Sequence, residues 1–195
     1  MTVSAIILAA GSSSRMGESK QMLTINGQRL LVRTIQTVLD SGIQDVVVVL
    51  GSDESIHRKA IGNLPVDTTF NDEWENGMGS SIKHGLLHVT SRHPVPEAVI
   101  ILVCDQPLLG HRHLQALVAK YQQAAKPIIA SSYAQQPGVP VLFDHTCYER
   151  LLGLEDKEGA KKVILKNLSD VALVPFPGGE IDLDTMEDYQ AFLKR

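Results

Sequence analysis

The amino-acid sequence predicts a three-layer α/β/α fold with a mostly parallel central sheet. Two patterns carry that expectation. Apolar runs of strand length recur without alternation at 5–11, 45–51, 97–105, 127–133, 138–143 and 171–176, and a strand that is apolar on both faces is one covered by helices on both sides. Segments with helical spacing separate them, and strand-helix-strand alternation builds right-handed crossovers between parallel strands.

The elements follow in order. "AIILAAG", "DVVVVLG" and "EAVIILVCD" open the sheet, and the last of them delivers a carboxylate to its end. In "QRLLVRTIQTVLDSG" (28–42), Leu30, Leu31, Ile35, Val38 and Leu39 share one stripe and Gly42 stands at the C-cap. "GSSIKHGLLHV" (79–89), "HRHLQALVAKYQQA" (111–124), "EGAKKVILKNL" (158–168) and "TMEDYQAFLKR" (185–195) read as helices in the same way. Residues 62–72 and 131–160 mix short strands with irregular loops, which is where a substrate-binding insertion would sit. No internal repeat, low-complexity tract or long linker interrupts the chain, so residues 1–195 are read as a single domain.

A chain of 195 residues buries roughly 70% of its unfolded surface, enough for a real core. The net charge of −4 offers no basic excess for nucleic acid, so any anion site must be built locally. The start "MTVSAIILAAG" has no positively charged n-region and its apolar run stops at Gly11, too short for a secretion signal or a membrane span. The expectation is a cytoplasmic protein with neither nucleic acid nor membrane as partner. Cys104 and Cys147 lie far apart without C-x-x-C spacing, which indicates neither a disulfide framework nor a zinc site.

The stretch "AAGSSSRMGESK" after the first strand has the chemistry of a phosphate cradle. Small residues let backbone N–H groups approach phosphate oxygens at the carboxyl edge of a parallel sheet. Its spacing, G-x3-R-x-G-x2-K, is neither G-x4-G-K-[ST] nor G-x-G-x-x-G. Arg15 can fork onto phosphate oxygens and Lys20 can act as a point charge. Asp105, at the end of an apolar strand, needs a donor cluster or a cation, and beside a triphosphate that cation is Mg²⁺. In "GGEIDLDTMEDYQ", Asp184 reads as an N-cap with Glu187 as its capping-box partner, which leaves Asp182 as the second metal carboxylate.

"FNDEWENGMGSSIKHGLLHV" reads as a loop and helix start. Gly77 and Gly79 free the backbone, Ser80 caps the helix, and its N-terminus offers a second anion site. Asn71 and Ser80 can donate hydrogen bonds to a ribose, base or pterin, and Trp74 offers a face for stacking or packing. His84 and His88, four apart, read as a solvated helix face, and His111 and His113 as capping or surface residues.

Taken together, "LAAGSSSRMGESK", "NDEWENGMGSSIKHGL", "CDQPLL" and "DLDTMEDY" resemble the nucleotidyltransferases of molybdenum cofactor maturation, most of all the cytidylyltransferase branch that joins CMP from CTP to molybdopterin. The resemblance spans residues 5–190. It implies a nucleotide-diphospho-sugar transferase-like fold, a glycosyltransferase-A-like variant of the Rossmann arrangement. It also implies Mg²⁺ as cofactor with Mn²⁺ as the alternative, CTP and molybdopterin or molybdenum cofactor as substrates, and a molybdoenzyme as client. Carried onto this chain, the roles fall on Lys20, Asp105 and Arg15 for catalysis and on Asp105 and Asp182 for the metal. Leu8, Ala9, Ala10, Gly11, Ser12, Asn71, Gly77, Ser80 and Ser81 are the nucleotide-binding set. The chain reads "LAAG" where guanylyl relatives read "LAGG", and the Ala10 methyl would narrow the base pocket toward a pyrimidine. Asp72 and Gly79 depart from the family pattern, Gly79 reading as added flexibility and Asp72 as a negative charge near an anionic acceptor. They keep open a sugar or polyol phosphate or another pterin as acceptor. A non-catalytic cofactor carrier is the reading from outside the enzymes.

Overall fold

A computed structural model of the chain describes residues 1–14 and 16–194; Arg15, expected at the phosphates, lies outside the described residues. In chain order the elements are β1 (Val3–Ala9), the two-stranded hairpin β2 (Thr24–Ile25) and β3 (Gln28–Arg29), α1 (Leu30–Asp40), β4 (Asp45–Leu50), α2 (Glu54–Ile61), β5 (Asp67–Phe70) and α3 (Met78–Thr90). Then come β6 (Ala98–Val103), α4 (His111–Gln123), β7 (Ile128–Tyr133), β8 (Gln136–Asp144), α5 (Tyr148–Leu152), α6 (Ala160–Lys166), β9 (Val171–Pro175) and α7 (Met186–Leu193).

Seven strands form one sheet in the order β5-β4-β1-β6-β8-β7-β9. All run parallel except β8, which is antiparallel to both neighbours. The unbroken apolar runs have a direct cause, since each central strand feeds two cores. Ile7, Val48, Ile100 and Leu142 point to the α1 and α4 side with Leu31, Ile35, Leu114 and Leu117. Ile6, Val47, Ile101 and Val141 point to the other side, under Ile82 and Leu86 of α3 and Val163 of α6. A third, smaller cluster of Met16, Leu23, Ile25, Leu30 and Leu183 takes Met186, Tyr189 and Phe192 against it, docking α7 beside the loop that follows β1. Among the described residues no helix is long and apolar enough to cross a membrane.

Several local expectations change. α2 has no apolar period to announce it, because it buries only His57 and Ile61, and the edge strand β5 buries only Thr69. β8 sits inside the sheet although it contains Pro137 and Pro140, residues that central strands avoid. The register against β7 shifts between Ala130 and Ser131, so the ladder is irregular where Pro140 offers no N–H, and the Pro140 carbonyl accepts from Ser131 Oγ at 2.6 Å. The C-cap of α1 is Ser41, one residue before the expected Gly42; Gly42 follows it with φ +94° and its N–H on the Leu39 carbonyl at 3.0 Å. Ser80 is not a cap: Gly77 holds that position and Ser80 Oγ donates back to the carbonyls of Gly77 (2.8 Å) and Glu73 (2.9 Å). The α7 capping box is Thr185 with Asp188, one residue beyond the expected Asp184 and Glu187. His113 is no surface residue. It stacks on Phe176 with ring centroids 4.4 Å apart, lies 2.7 Å from Ser131 Oγ, and is pushed by burial to a pKa of about 4. His84 is tied to Thr69 Oγ1 at 2.8 Å rather than facing water alone.

Candidate active site

A cleft of about 290 Å³ opens at the carboxyl edge of β1 and β6, between the loop after β1 and the start of α3. Leu8, Ala10, Gly11, Ser12, Gly77 and Ser81 line it, together with Lys20 and Asp105. Three members of the sequence-derived set stand behind its wall instead. Ala9 belongs to the core. Asn71 is buried and spends its amide on Ser80 Oγ (2.9 Å) and Ser81 Oγ (3.1 Å) and its carbonyl oxygen on the Glu73 N–H (3.1 Å). Ser80 is equally committed, so the pair holds the helix start in shape rather than offering donors to a ligand.

The fold assembles the charged mouth of the cleft from three distant segments. Lys20 opens a 3-10 turn, Lys20–Met22, and its N–H is held by Ser13 Oγ at 3.0 Å. Its ammonium pairs with Asp105 at the end of β6 and lies 3.4 Å from Asp184 Oδ1. Asp184 is there because the segment after β9 is pinned to β6: the Leu183 N–H donates to the Asp105 carbonyl at 3.0 Å and Gln106 Nε2 to the Gly179 carbonyl at 2.8 Å. Leu183 is fully buried, and Asp182 and Asp184 flank it. The shift of the helix cap to Thr185 thus releases Asp184 from its expected structural task and brings it to Lys20.

Burial works against the Lys20 ammonium, but Asp105 and Asp184 outweigh it and hold its pKa above the ordinary lysine value. Loss of surrounding water, then the Asp105 and Asp184 charges, push the Asp182 carboxyl up to about 6, although its side chain still reaches solvent. Carboxyl oxygens are hard donors and a divalent cation relieves such repulsion, although among the described residues no three of these groups are placed to hold an ion unaided. The residues present therefore fit Mg²⁺ or Mn²⁺, held by one or two of these carboxylates with phosphate oxygens completing the shell. Asp182 has a measurable signature. The folded chain holds its proton more tightly than the unfolded chain, so the stability this group contributes is complete below about pH 4 and is lost as pH rises through about 6. Asp182→Asn is expected to remove that loss. Thermal melts from pH 4 to 7 check it: the variant gains Tm over the parent as pH rises, and a constant Tm difference across the range refutes the assignment.

The walls are set by close backbone approaches. Trp74 packs on Gly51, where a Cβ would stand 2.6 Å from Trp74 Cγ and 2.7 Å from the Ala10 carbonyl, so the half-buried indole is at once packing and cleft wall. Gly77 and Gly79 press α3 onto residues 155–158, and the Gly79 N–H donates to the Asp156 carbonyl at 2.7 Å. The expected anion site at the α3 N-terminus is thereby partly taken by protein, and Gly79 serves contact, not flexibility. Lys83 pairs with Asp156 at 2.6 Å and clamps the same turn. Cys104 on the cleft floor keeps its proton, since burial and then the Asp105 charge push its thiol to about 12. Asp184 carries a sequence signal that reads as a cap and not as a cleft carboxylate. Gln21 is marked only by its place next to Lys20 in the ligand-loop stretch, and Gly51 carries no local mark.

A family model described as "MobA-like NTP transferase domain" matches residues 5–171. The purine catabolism protein PucB of Bacillus subtilis is 31% identical over 195 residues, covering 94% of this chain and 92% of that protein. Nicotine blue oxidoreductase of Paenarthrobacter nicotinovorans is 24% identical over 98% of this chain and 96% of its own length. Among solved structures, Rv0371c of Mycobacterium tuberculosis superposes with a TM-score of 0.85 at 23% identity, covering 100% of this chain and 99% of its own. The same protein has been solved as a complex with manganese.

Proposed function

The chain belongs to the MobA-like NTP transferase domain family and is a nucleotidyltransferase, and from that premise we propose that it transfers CMP from CTP to the terminal phosphate of molybdopterin or molybdenum cofactor. The family takes a nucleoside triphosphate and a phosphorylated acceptor. The observation that carries the proposal is Lys20 paired with Asp105 at the mouth of a cleft walled by Ala10 and Trp74. The residues that resemble the cytidylyl branch, "LAAG" and the stretch around Trp74, supply the choice of nucleotide and acceptor. An oxidoreductase reading, suggested by the name of the Paenarthrobacter relative, has no dinucleotide fingerprint in this chain to support it.

Lys20 neutralises charge on the α-phosphate, and the N–H groups of the loop after β1 bind the phosphate oxygens. The acceptor phosphate is already an ionised nucleophile. Its oxygen bonds to the α-phosphorus as the bond to the β-phosphate oxygen breaks, and pyrophosphate leaves with that electron pair. No general base and no covalent enzyme intermediate is required, so positioning and charge neutralisation supply the rate. Mg²⁺ or Mn²⁺, held by Asp105 with Asp182 or Asp184, supplies further neutralisation at the phosphates when bound. The product is a cofactor form destined for a molybdoenzyme client.

Pyrophosphate release, measured with Mg²⁺ and either CTP or GTP, with and without molybdopterin, tests the proposal. Release with CTP that depends on molybdopterin is expected. In the same assay Ala10→Gly should shift the preference toward GTP. Release that needs no molybdopterin, or that occurs only with another phosphorylated acceptor, overturns the acceptor, and an unchanged base preference in Ala10→Gly removes Ala10 as its source.

A further inference from the structure

His57 belongs to α2, a helix with no residue in the cleft, yet it is fully buried and its Nε2 lies 2.7 Å from Ser19 Oγ. Ser19 Oγ is 2.9 Å from Gln21 Oε1, and Gln21 Nε2 lies 3.3 Å from the Ala9 carbonyl and 3.2 Å from the Gly11 carbonyl. The chemistry of these groups determines where the protons are. Two carbonyls beside Nε2 fix the orientation of the Gln21 amide, so Oε1 is the acceptor and the single Ser19 hydroxyl proton goes to it. Ser19 then presents a lone pair to His57, which must carry its ring proton on Nε2. The remaining nitrogen agrees: His57 Nδ1 is buried with no partner among the described residues, and a bare lone pair there costs less than an orphaned N–H. Burial holds the imidazole below its ordinary pKa against the opposing charge of Asp53, which keeps the ring neutral.

The relay ends on the backbone of the loop that lines the cleft. A loop that binds phosphate must present N–H groups and keep carbonyl oxygens away from the anion. Here the Ala9 and Gly11 carbonyls are held by Gln21, and the Ala10 carbonyl accepts the Ser52 N–H at 2.9 Å. Three consecutive carbonyls are thus committed to the protein. Gln21 Oε1 also accepts from Ser13 Oγ at 3.2 Å, the same hydroxyl that holds the Lys20 N–H.

We propose that His57 is a positioning residue for the nucleotide loop: through Ser19 it fixes Gln21, and Gln21 keeps the Ala9 and Gly11 carbonyls out of the phosphate site. The identity of the ligand rests on the reading under Proposed function; the state of the loop does not.

The test begins without ligand. Nitrogen-15 spectra of the intact protein should show His57 as the neutral Nε2–H tautomer, and amide hydrogen exchange over residues 10–21 reports the order of the loop. His57→Leu removes the donor at similar bulk, His57→Gln carries an amide N–H of similar reach, and His57→Asn carries one that falls short. Exchange in the loop and the Kd for CTP with Mg²⁺ should each rise about tenfold in His57→Leu and His57→Asn. His57→Gln should stay within about threefold of the parent in both. KM for the nucleotide should rise more than kcat falls. An Nδ1–H tautomer, parental loop exchange in His57→Leu, or a glutamine variant no better than the asparagine one overturns the proposal. If His57→Leu does not fold, Ser19→Ala breaks the relay at a partly exposed position and is read the same way. A parent protein that binds no nucleotide refutes the functional reading instead, while the tautomer and exchange measurements still decide the role of His57.

Discussion

Lys20→Ala is expected to lower turnover by about 10²- to 10³-fold with the fold retained. Its ammonium is the cation described at the mouth of the cleft beside Asp105 and Asp184, so its loss leaves the charge developing at the phosphates opposed by fewer positive groups. Arginine should not restore the rate, because a planar fork on a longer stem cannot reproduce a point charge at the Lys20 position. Asp105→Ala should fall by a similar factor, for the opposite reason: it removes a carboxylate that both orients Lys20 and serves the metal. The two variants separate in a second measurement. Without Lys20 the group of Asp105, Asp182 and Asp184 loses one neighbouring positive charge, so Mn²⁺ binding in the absence of nucleotide, followed by electron paramagnetic resonance, should tighten. Without Asp105 it should weaken. Near-parental turnover in either variant, measured as pyrophosphate release at saturating substrates, refutes the assignment.

Gly79→Ala is expected to cost about 1–3 kcal/mol, a fall of about 2–12 °C in Tm for a chain of this size. It should also raise the KM for the nucleotide. A Cβ at this position would collide with the Glu155 carbonyl and would stand 2.9 Å from the Glu158 carbonyl and 3.0 Å from the Asp156 carbonyl. These are backbone atoms, which cannot rotate aside, so α3 must lift from the turn it rests on. That movement stretches the bond from the Gly79 N–H to the Asp156 carbonyl and displaces Met78 and Ser81, which line the cleft. Gly110→Ala is the control. A Cβ there meets nothing within 4 Å and Gly110 has an extended backbone, φ −118°, so its effect should stay within about 0.5 kcal/mol. Equal melting curves for the two variants would show that α3 does not depend on this contact.

Both outcomes turn on residues whose meaning came from different sources. The placement of Lys20 and Asp105 in the cleft is legible in the sequence because each follows an apolar run that can only be a buried strand, and the carboxyl edge of such strands is where a parallel sheet collects its ligands. Gly79 reads as flexible in the sequence because a glycine in a loop carries no local mark of what presses on it. The same limit applies to Asn71, whose amide donates to Ser80 Oγ, to Ser80, whose hydroxyl donates to the Gly77 and Glu73 carbonyls, and to Asp184, which meets Lys20 from 164 residues away in the chain. α2 has no sequence signature since it buries His57 and Ile61 alone, and that same histidine reaches Ser19, in the loop after β1, only because the helix packs there.

The sequence by itself determined the three-layer architecture, the positions of the central strands and the small-residue loop at the end of the first of them, since burial on both faces and small residues at a strand end are written in neighbouring positions. The tertiary structure alone decided the reversal of β8, the pinning of the 179–184 segment to β6, and which polar groups remain for a ligand after the fold has used the rest. Those outcomes depend on strand order and on contacts between distant segments, and local periodicity carries no information about either.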